Sequence, residues 1–148
     1  MKKRIALLVG TVGLLVVLAA GVAFALTITG TNAPDNITGT SSADNIAASA
    51  NDDVVSGLGG PDRIFGDGGD DTLNGDSGAD HVESGDGDNV ARGNEGAGDW
   101  VSVVDNDTND FASGGDGIDD VCVVDLINGV TDDYSGTCET VLQTTPIP

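Results

Sequence analysis

An all-β solenoid is the fold class this sequence predicts, and three observations predict it. Aspartates recur every nine residues, an aliphatic residue follows each at a constant offset, and the intervening segments are rich in glycine and acid. Asp35, Asp44, Asp53, Asp62, Asp71 and Asp80 keep the nine-residue spacing and Asn89 continues it. Two positions after each stand Ile37, Ile46, Val55, Ile64, Leu73, Val82 and Ala91. A fixed period of this kind marks a chain that stacks one small unit on the next, burying together a core that no unit buries alone.

In chain order, Met1-Lys2-Lys3-Arg4 gives a positive start and Ile5 to Phe24 an uncharged apolar run. That is the pattern of a secretory leader, so residues 1–25 are expected to form an N-terminal signal helix, with Ala23-Phe24-Ala25 as the cleavage signal. The run is about 20 residues, longer than the ~7 to 15 of a signal-peptide core and close to the ~20 that span a bilayer. A retained membrane anchor therefore stands as the alternative to cleavage. Either reading puts the remainder outside the cytoplasm, secreted or at the cell surface, and a membrane is a partner only if the leader is retained.

The 148 residues carry 25 Asp and Glu against 5 Lys and Arg, a net charge of −20. Beyond residue 25 only Arg63 and Arg92 remain as bases against all 25 acids. Such a body repels nucleic acid, nucleotide phosphates and anionic lipid. The partner that suits it is a cation.

Each nine-residue unit divides into a short strand and a turn. In Thr72-Leu73-Asn74 the two-residue strand period sends Leu73 inward and its neighbours outward, so the aliphatic positions line a thin core. The six residues between strands must turn sharply, and glycine lets their backbone carbonyls crowd together. Calcium takes about six to eight oxygens and accepts carboxylates and carbonyls alike.

Gly57 to Phe65 reads G-L-G-G-P-D-R-I-F, Gly66 to Asn74 G-D-G-G-D-D-T-L-N, Gly75 to Glu83 G-D-S-G-A-D-H-V-E, and Gly114 to Cys122 G-G-D-G-I-D-D-V-C. These units resemble the RTX, or haemolysin-type, calcium-binding nonapeptide repeat, G-G-x-G-x-D-x-U-x with U aliphatic. The resemblance spans about residues 30–122 and implies a right-handed parallel β-roll (a β-solenoid) of about five coils over residues 26–122. Strands in that fold alternate between two faces, so loops stacked on one side are 18 residues apart. It implies calcium ions between Asp44 and Asp62, Asp53 and Asp71, Asp62 and Asp80, and Asp71 and Asn89, with Asp119 in the last unit. The loop glycines Gly57, Gly60, Gly66, Gly69, Gly75, Gly78, Gly114 and Gly117 would complete those sites.

Departures from the consensus matter. From Gly30 to Ser56, Thr, Ser, Ala and Asn replace several glycines, which predicts poorer metal cradles there. After Arg92 the register slips by one residue at Asp99-Trp100-Val101 and by two more at Asp110-Phe111-Ala112, read as bulges or insertions in a continuing stack. One aliphatic residue in nine cannot offset the entropy of ordering all nine. The chain is therefore expected to fold only as calcium binds, with affinity near the ~0.1 to 1 mM of extracellular modules.

Cys122 and Cys138 are the only cysteines, and an even pair in an exported chain predicts a disulfide. Residues 123–148 are read as a C-terminal capping segment, a hairpin turning at Asn128-Gly129 followed by a loose tail from Gln143.

Gly75-Asp76-Ser77-Gly78 resembles a serine-protease nucleophile motif, with His81 nearby, but it lies in repeat register. A Ser and a His four residues apart on such a loop cannot form an oriented triad. No other catalytic motif is found, so the chain is not read as an enzyme. Asp105-Asn106-Asp107-Thr108-Asn109-Asp110 resembles the opening of an EF-hand loop without its glycine, its terminal glutamate or its helices, and is read as an irregular repeat still able to hold calcium. The function expected is calcium binding by an extracellular structural or interaction module. The alternative is an adhesin or envelope component that meets an unknown surface ligand through Phe65, Trp100 and Phe111, aromatics that local packing explains better than ligand contact does.

Overall fold

An aliphatic residue between two polar neighbours buries itself best as the middle of a strand, and the chain repeats that solution along its length. The computed structural model describes residues 13–15, 25–127 and 130–145. Its strands are β1 (Gly13–Leu15), β2 (Thr27–Thr29), β3 (Asp35–Thr38), β4 (Asn45–Ala50), β5 (Val54–Ser56), β6 (Arg63–Gly68), β7 (Thr72–Gly78) and β8 (His81–Asp86). They continue as β9 (Val90–Gly96), β10 (Trp100–Val103), β11 (Phe111–Asp116), β12 (Val121–Ile127), β13 (Val130–Thr131), β14 (Asp133–Tyr134) and β15 (Thr140–Thr144).

Successive strands alternate between two sheets. One runs β1-β3-β5-β7-β9-β11-β14, and the other runs β2-β4-β6-β8-β10-β12 with β15 parallel on β12. Val55 lies beside Leu73 and Ile46 beside Ile64, each pair 18 residues apart. This is the parallel β-solenoid expected, in about six turns instead of five. The sixth turn comes from continuation past Cys122, where β14 pairs with β11 and β15 with β12. The antiparallel pairing of β12 with β13, Leu126 to Thr131 and Ile127 to Val130, gives the expected hairpin; the Asn128-Gly129 turn itself lies outside the described residues.

The leader expectation falls almost wholly outside the described residues. Gly13–Leu15 are an extended strand paired with Asp35 to Ile37, so no signal helix is found there. Among the described residues no helix is long and apolar enough to cross a membrane.

The core is the double row of inward residues: Ile28, Ile46, Ile64, Val82, Val101 and Cys122 from one sheet, Ile37, Val55, Leu73, Ala91 and Ala112 from the other. The second row narrows to alanine at β9 and β11. The first compensates: Val103 and Val124 are fully buried where the earlier coils of that sheet place Ala48, Gly66 and Ser84. Larger side chains in one row thus accompany smaller ones in the other, as close packing favours.

The register slips are absorbed in the loops. Trp100 pairs with His81, 19 residues back, and Phe111 with Val90, 21 back, with no break in either sheet.

Candidate metal centre

The aspartate before each strand lies at the mouth of the core, out of water. Asp35, Asp44, Asp53, Asp62, Asp71, Asp80, Asn89, Asp99, Asp110, Asp120 and Asp132 are all buried. Their side chains form a ladder. The backbone N–H of Asp44 donates to Oδ1 of Asp62 at 2.7 Å, Asp53 to Asp71 at 2.8 Å, Asp62 to Asp80 at 2.8 Å, Asp80 to Asp99 at 2.8 Å and Asp99 to Asp120 at 2.9 Å. One oxygen of each carboxylate is thereby committed to the neighbouring coil.

The other oxygen is not. Oδ2 of Asp53, Asp62, Asp71, Asp80, Asp99, Asp110 and Asp120 and Oδ1 of Asp132 are buried with no hydrogen-bond partner among the described residues. Burying a carboxylate oxygen without a donor is costly, and the proton affinities register that cost. Burial pushes Asp62 and Asp110 up to about 7 and Asp71, Asp80 and Asp132 up to about 6. It also raises Asp53 and Asp99. The N–H that each carboxylate accepts pulls the other way, and neighbouring carboxylates add to the rise. Groups that resist ionisation alone, repeated in two rows and buried, are what a bound cation would relieve.

The glycines make room at the same oxygens. A Cβ added at Gly57 would lie 2.3 Å from Oδ2 of Asp62, at Gly66 2.4 Å from Oδ2 of Asp71, and at Gly75 2.4 Å from Oδ2 of Asp80. At Gly114 it would meet Asp120, with Oδ2 at 3.0 Å. The fourth loop glycines Gly60, Gly69, Gly78 and Gly117 pack instead against the backbone of the coil before. Gly60 and Gly69 adopt φ of +92° and +132°, which a side chain would strain. An orphaned carboxylate oxygen over a side-chain-free cradle fits a hard cation.

Three of the predicted ligands, Asp44, Asn89 and Asp119, stand apart from the rest. Asp44 has no free oxygen: Oδ2 accepts the N–H of Thr40 at 2.6 Å and its Oγ1 hydroxyl at 3.0 Å. Thr31 does the same for Asp35 at 2.6 and 2.9 Å. Asn89 is also spent. Its Oδ1 accepts the N–H of Asp71 at 2.8 Å, while Nδ2 donates to the carbonyls of Gly85 at 3.0 Å and Gly87 at 2.7 Å. The reversed amide would set donor against donor and oxygen against oxygen, so the orientation is fixed. Asp119 is exposed at a left-handed turn with φ of 66°, and Asp120 takes the ladder position. The sequence reading sets the last unit one residue too early, because Cys122, not Val121, pairs with Val101 and points inward.

Sequence reasoning named none of Asp99, Asp120 and Asp132 as a ligand and reached Asp110 only within the irregular Asp105 to Asp110 repeat. The strict nine-residue count kept Asp99 and Asp120 out of the ligand set; for Asp132 the signal is its place before Asp133-Tyr134, which pair with Phe111-Ala112.

Four overlapping copies of the RTX calcium-binding nonapeptide repeat match the chain, over residues 29–64, 48–82, 56–91 and 65–98. Residues 29–98 are RTX calcium-binding nonapeptide repeats. No curated protein and no solved structure matches it. The matched RTX repeats end at Gly98, whereas the two sheets and the buried carboxylate row run on to Asp132.

Elsewhere the RTX roll is stapled and stacked. Cys122 and Cys138 are joined in a disulfide. On the outside His81 stacks on Trp100 with centroids 6.3 Å apart and meets Phe65 at the same distance, while Arg92 lies 5.8 Å over the ring of Phe111. His81 pairs with Glu83 at 3.8 Å, and the Ser77 hydroxyl donates to Glu95 at 3.1 Å.

Proposed function

We propose that this RTX protein is an exported, calcium-folded rod with a structural or interaction role. The observation that carries it is the row of buried carboxylate oxygens without donors, each set over a glycine or against a neighbouring acid. In this reading Asp53, Asp62, Asp71, Asp80, Asp99 and Asp120 supply carboxylate oxygens to calcium, and Gly57, Gly66, Gly75 and Gly114 keep the space open. Binding then supplies the folding energy that the thin core lacks. The coils at Asp35, Asp44 and Asn89 hold themselves together by hydrogen bonds and take no ion through those residues. The hairpin and the disulfide support a role for residues 123–148 as the covering end of the stack. Export rests on the leader pattern of residues 1–25 and on the acidity of the rest.

The test is a calcium titration of the chain followed by far-UV circular dichroism and hydrodynamic radius. A coil-to-β transition with compaction is expected. Identical spectra in chelator and in millimolar calcium would remove the reading.

A second reading, a binding face on the even-numbered sheet, draws on the Phe65, His81 and Trp100 row. Trp100 remains 38% exposed. The mutual stacking of these rings accounts for their placement without a ligand, so the first reading is preferred.

A further inference from the structure

The loop from Val104 to Asp110 differs from every loop of the matched repeats. It begins after Val103, where Gly66 or Ser84 stands in the earlier coils of that sheet, and runs seven residues from Val103 to Asp110 against five from Gly66 to Asp71. The valine fills the cradle, so no glycine-lined space is left beneath the carboxylate. In exchange the longer loop brings in side chains. One carboxylate oxygen each of Asp105, Asp107 and Asp110 lies within 4.8 Å of the other two, and the Asp105 carboxylate is held in place by the N–H groups of Gly87 at 3.1 Å and Asp107 at 2.9 Å, each of its oxygens keeping a second lone pair for an ion.

Three acids on a loop are not by themselves a site. Here the innermost, Asp110, is 1% exposed. Its Oδ1 is held by the N–H of Asn89 at 2.6 Å, and its Oδ2 has no donor among the described residues. Asp132, which acts on Asp110 electrostatically from the next coil, holds a second buried oxygen without a donor. No cation of the protein answers this charge: Arg63 and Arg92 are the only bases among residues 25–145, and Arg92 is engaged with Phe111.

We propose that Asp105, Asp107 and Asp110 form a separate site for a hard divalent cation, calcium, built from side-chain carboxylates where the repeats use glycine-opened loops. It lies outside the matched repeats and stands independently of how they bind. Three carboxylates around one ion match the oxygen-rich, charge-dense ligand sets that calcium prefers. Affinity that rises with ligand charge makes this the tightest of the chain's sites, filled first. It also fixes the one loop for which the consensus gives no conformation.

The experiment compares calcium stoichiometry and affinity by isothermal titration calorimetry in the full chain, with and without D105N/D107N, and checks far-UV circular dichroism of both at saturating calcium. The double variant is expected to lose one ion, the tightest, while keeping the β spectrum and the remaining ions. An unchanged stoichiometry and an unchanged first binding step would overturn the proposal. Should the double variant fail to fold, D107N alone decides. Asp107 accepts a bond only from the N–H of Asn109 within its own loop, and its loss should weaken one ion by about tenfold or more. No weakening of any step in D107N would equally overturn it. A native chain that binds no calcium anywhere would refute the repeats as well, whereas a native chain whose ions all survive D107N would refute this site alone.

Discussion

The side-chain amide of Asn89 stands 2.7 Å from the carbonyl oxygen of Gly87 and closes its own loop with a donor where Asp71, one coil earlier, offers a bare oxygen. The two residues hold the same position 18 apart, and Asp71 donates its N–H to Asn89. One coil is completed from within, while the other awaits a cation.

Asn89→Asp should therefore turn a self-sufficient coil into an ion-dependent one. In chelator the variant should be less stable by about 1 to 3 kcal/mol, the cost of a buried polar group left unpaired. In calcium it should bind one ion more than the native chain. Calorimetric stoichiometry and thermal midpoints in the two conditions measure both effects; an unchanged ion count with reduced stability would show that the loop at Asn89 is closed to metal.

The metal-free roll should be an acid-stable state. Asp62 and Asp110 titrate near 7 and Asp71, Asp80 and Asp132 near 6 in the fold, against an ordinary value of 3.8. A carboxyl whose pKa rises on folding favours the fold while protonated. That contribution is complete below about pH 4 and is lost as pH climbs through 6 to 7. In chelator the β signal should be stronger at pH 4.5 than at pH 7.5. Calcium should reverse the order, because the ion displaces those protons. A chelated chain more ordered at pH 7.5 would contradict the burial of these carboxyls.

Gly66→Ala and Gly68→Ala form a matched pair two residues apart. A Cβ at Gly66 meets Oδ2 of Asp71 at 2.4 Å and the carbonyl of Ser84 at 2.2 Å, whereas at Gly68 it meets nothing within 4 Å. The first should raise the calcium midpoint of folding severalfold, and the second should stay within about 0.5 kcal/mol of native. Equal effects would mean that the cradle is unimportant.

Cys138→Ser removes a covalent loop spanning 16 residues of sequence. Loss of such a loop costs about 3 kcal/mol, and Cys122 remains as a small apolar residue in the core. The thermal midpoint in calcium should drop, and reductant should lower the native chain by a similar amount while leaving the variant unchanged.

The nine-residue count and its aliphatic companion were enough to read the two sheets and the inward row from Ile37 to Ala91, because each depends on spacing alone. What spacing cannot tell is the valence of a side chain. Asn89 sits in perfect register, yet its amide carries two protons that a carboxylate lacks. Thr31 and Thr40 reach the acids four residues on with donors that glycine cannot offer. The Asp119 and Asp120 pair failed for another reason: two acids precede two apolar residues, Val121 and Cys122, so both frames satisfy the pattern. Only strand pairing with Trp100 and Val101 selects one. The added length before Asp110 reads as noise in a repeat until the loop is seen to bring three carboxylates together.

The threonines that satisfy Asp35 and Asp44 sit at one end of the stack only. That end can be assembled without metal and offers the next coil a ready edge of N–H groups and carboxylates, whereas no later coil but the one at Asn89 completes its own acid. Metal dependence then has a polarity along the rod: the amino-terminal coils need calcium least, and the coils beyond them, apart from the one at Asn89, need it most.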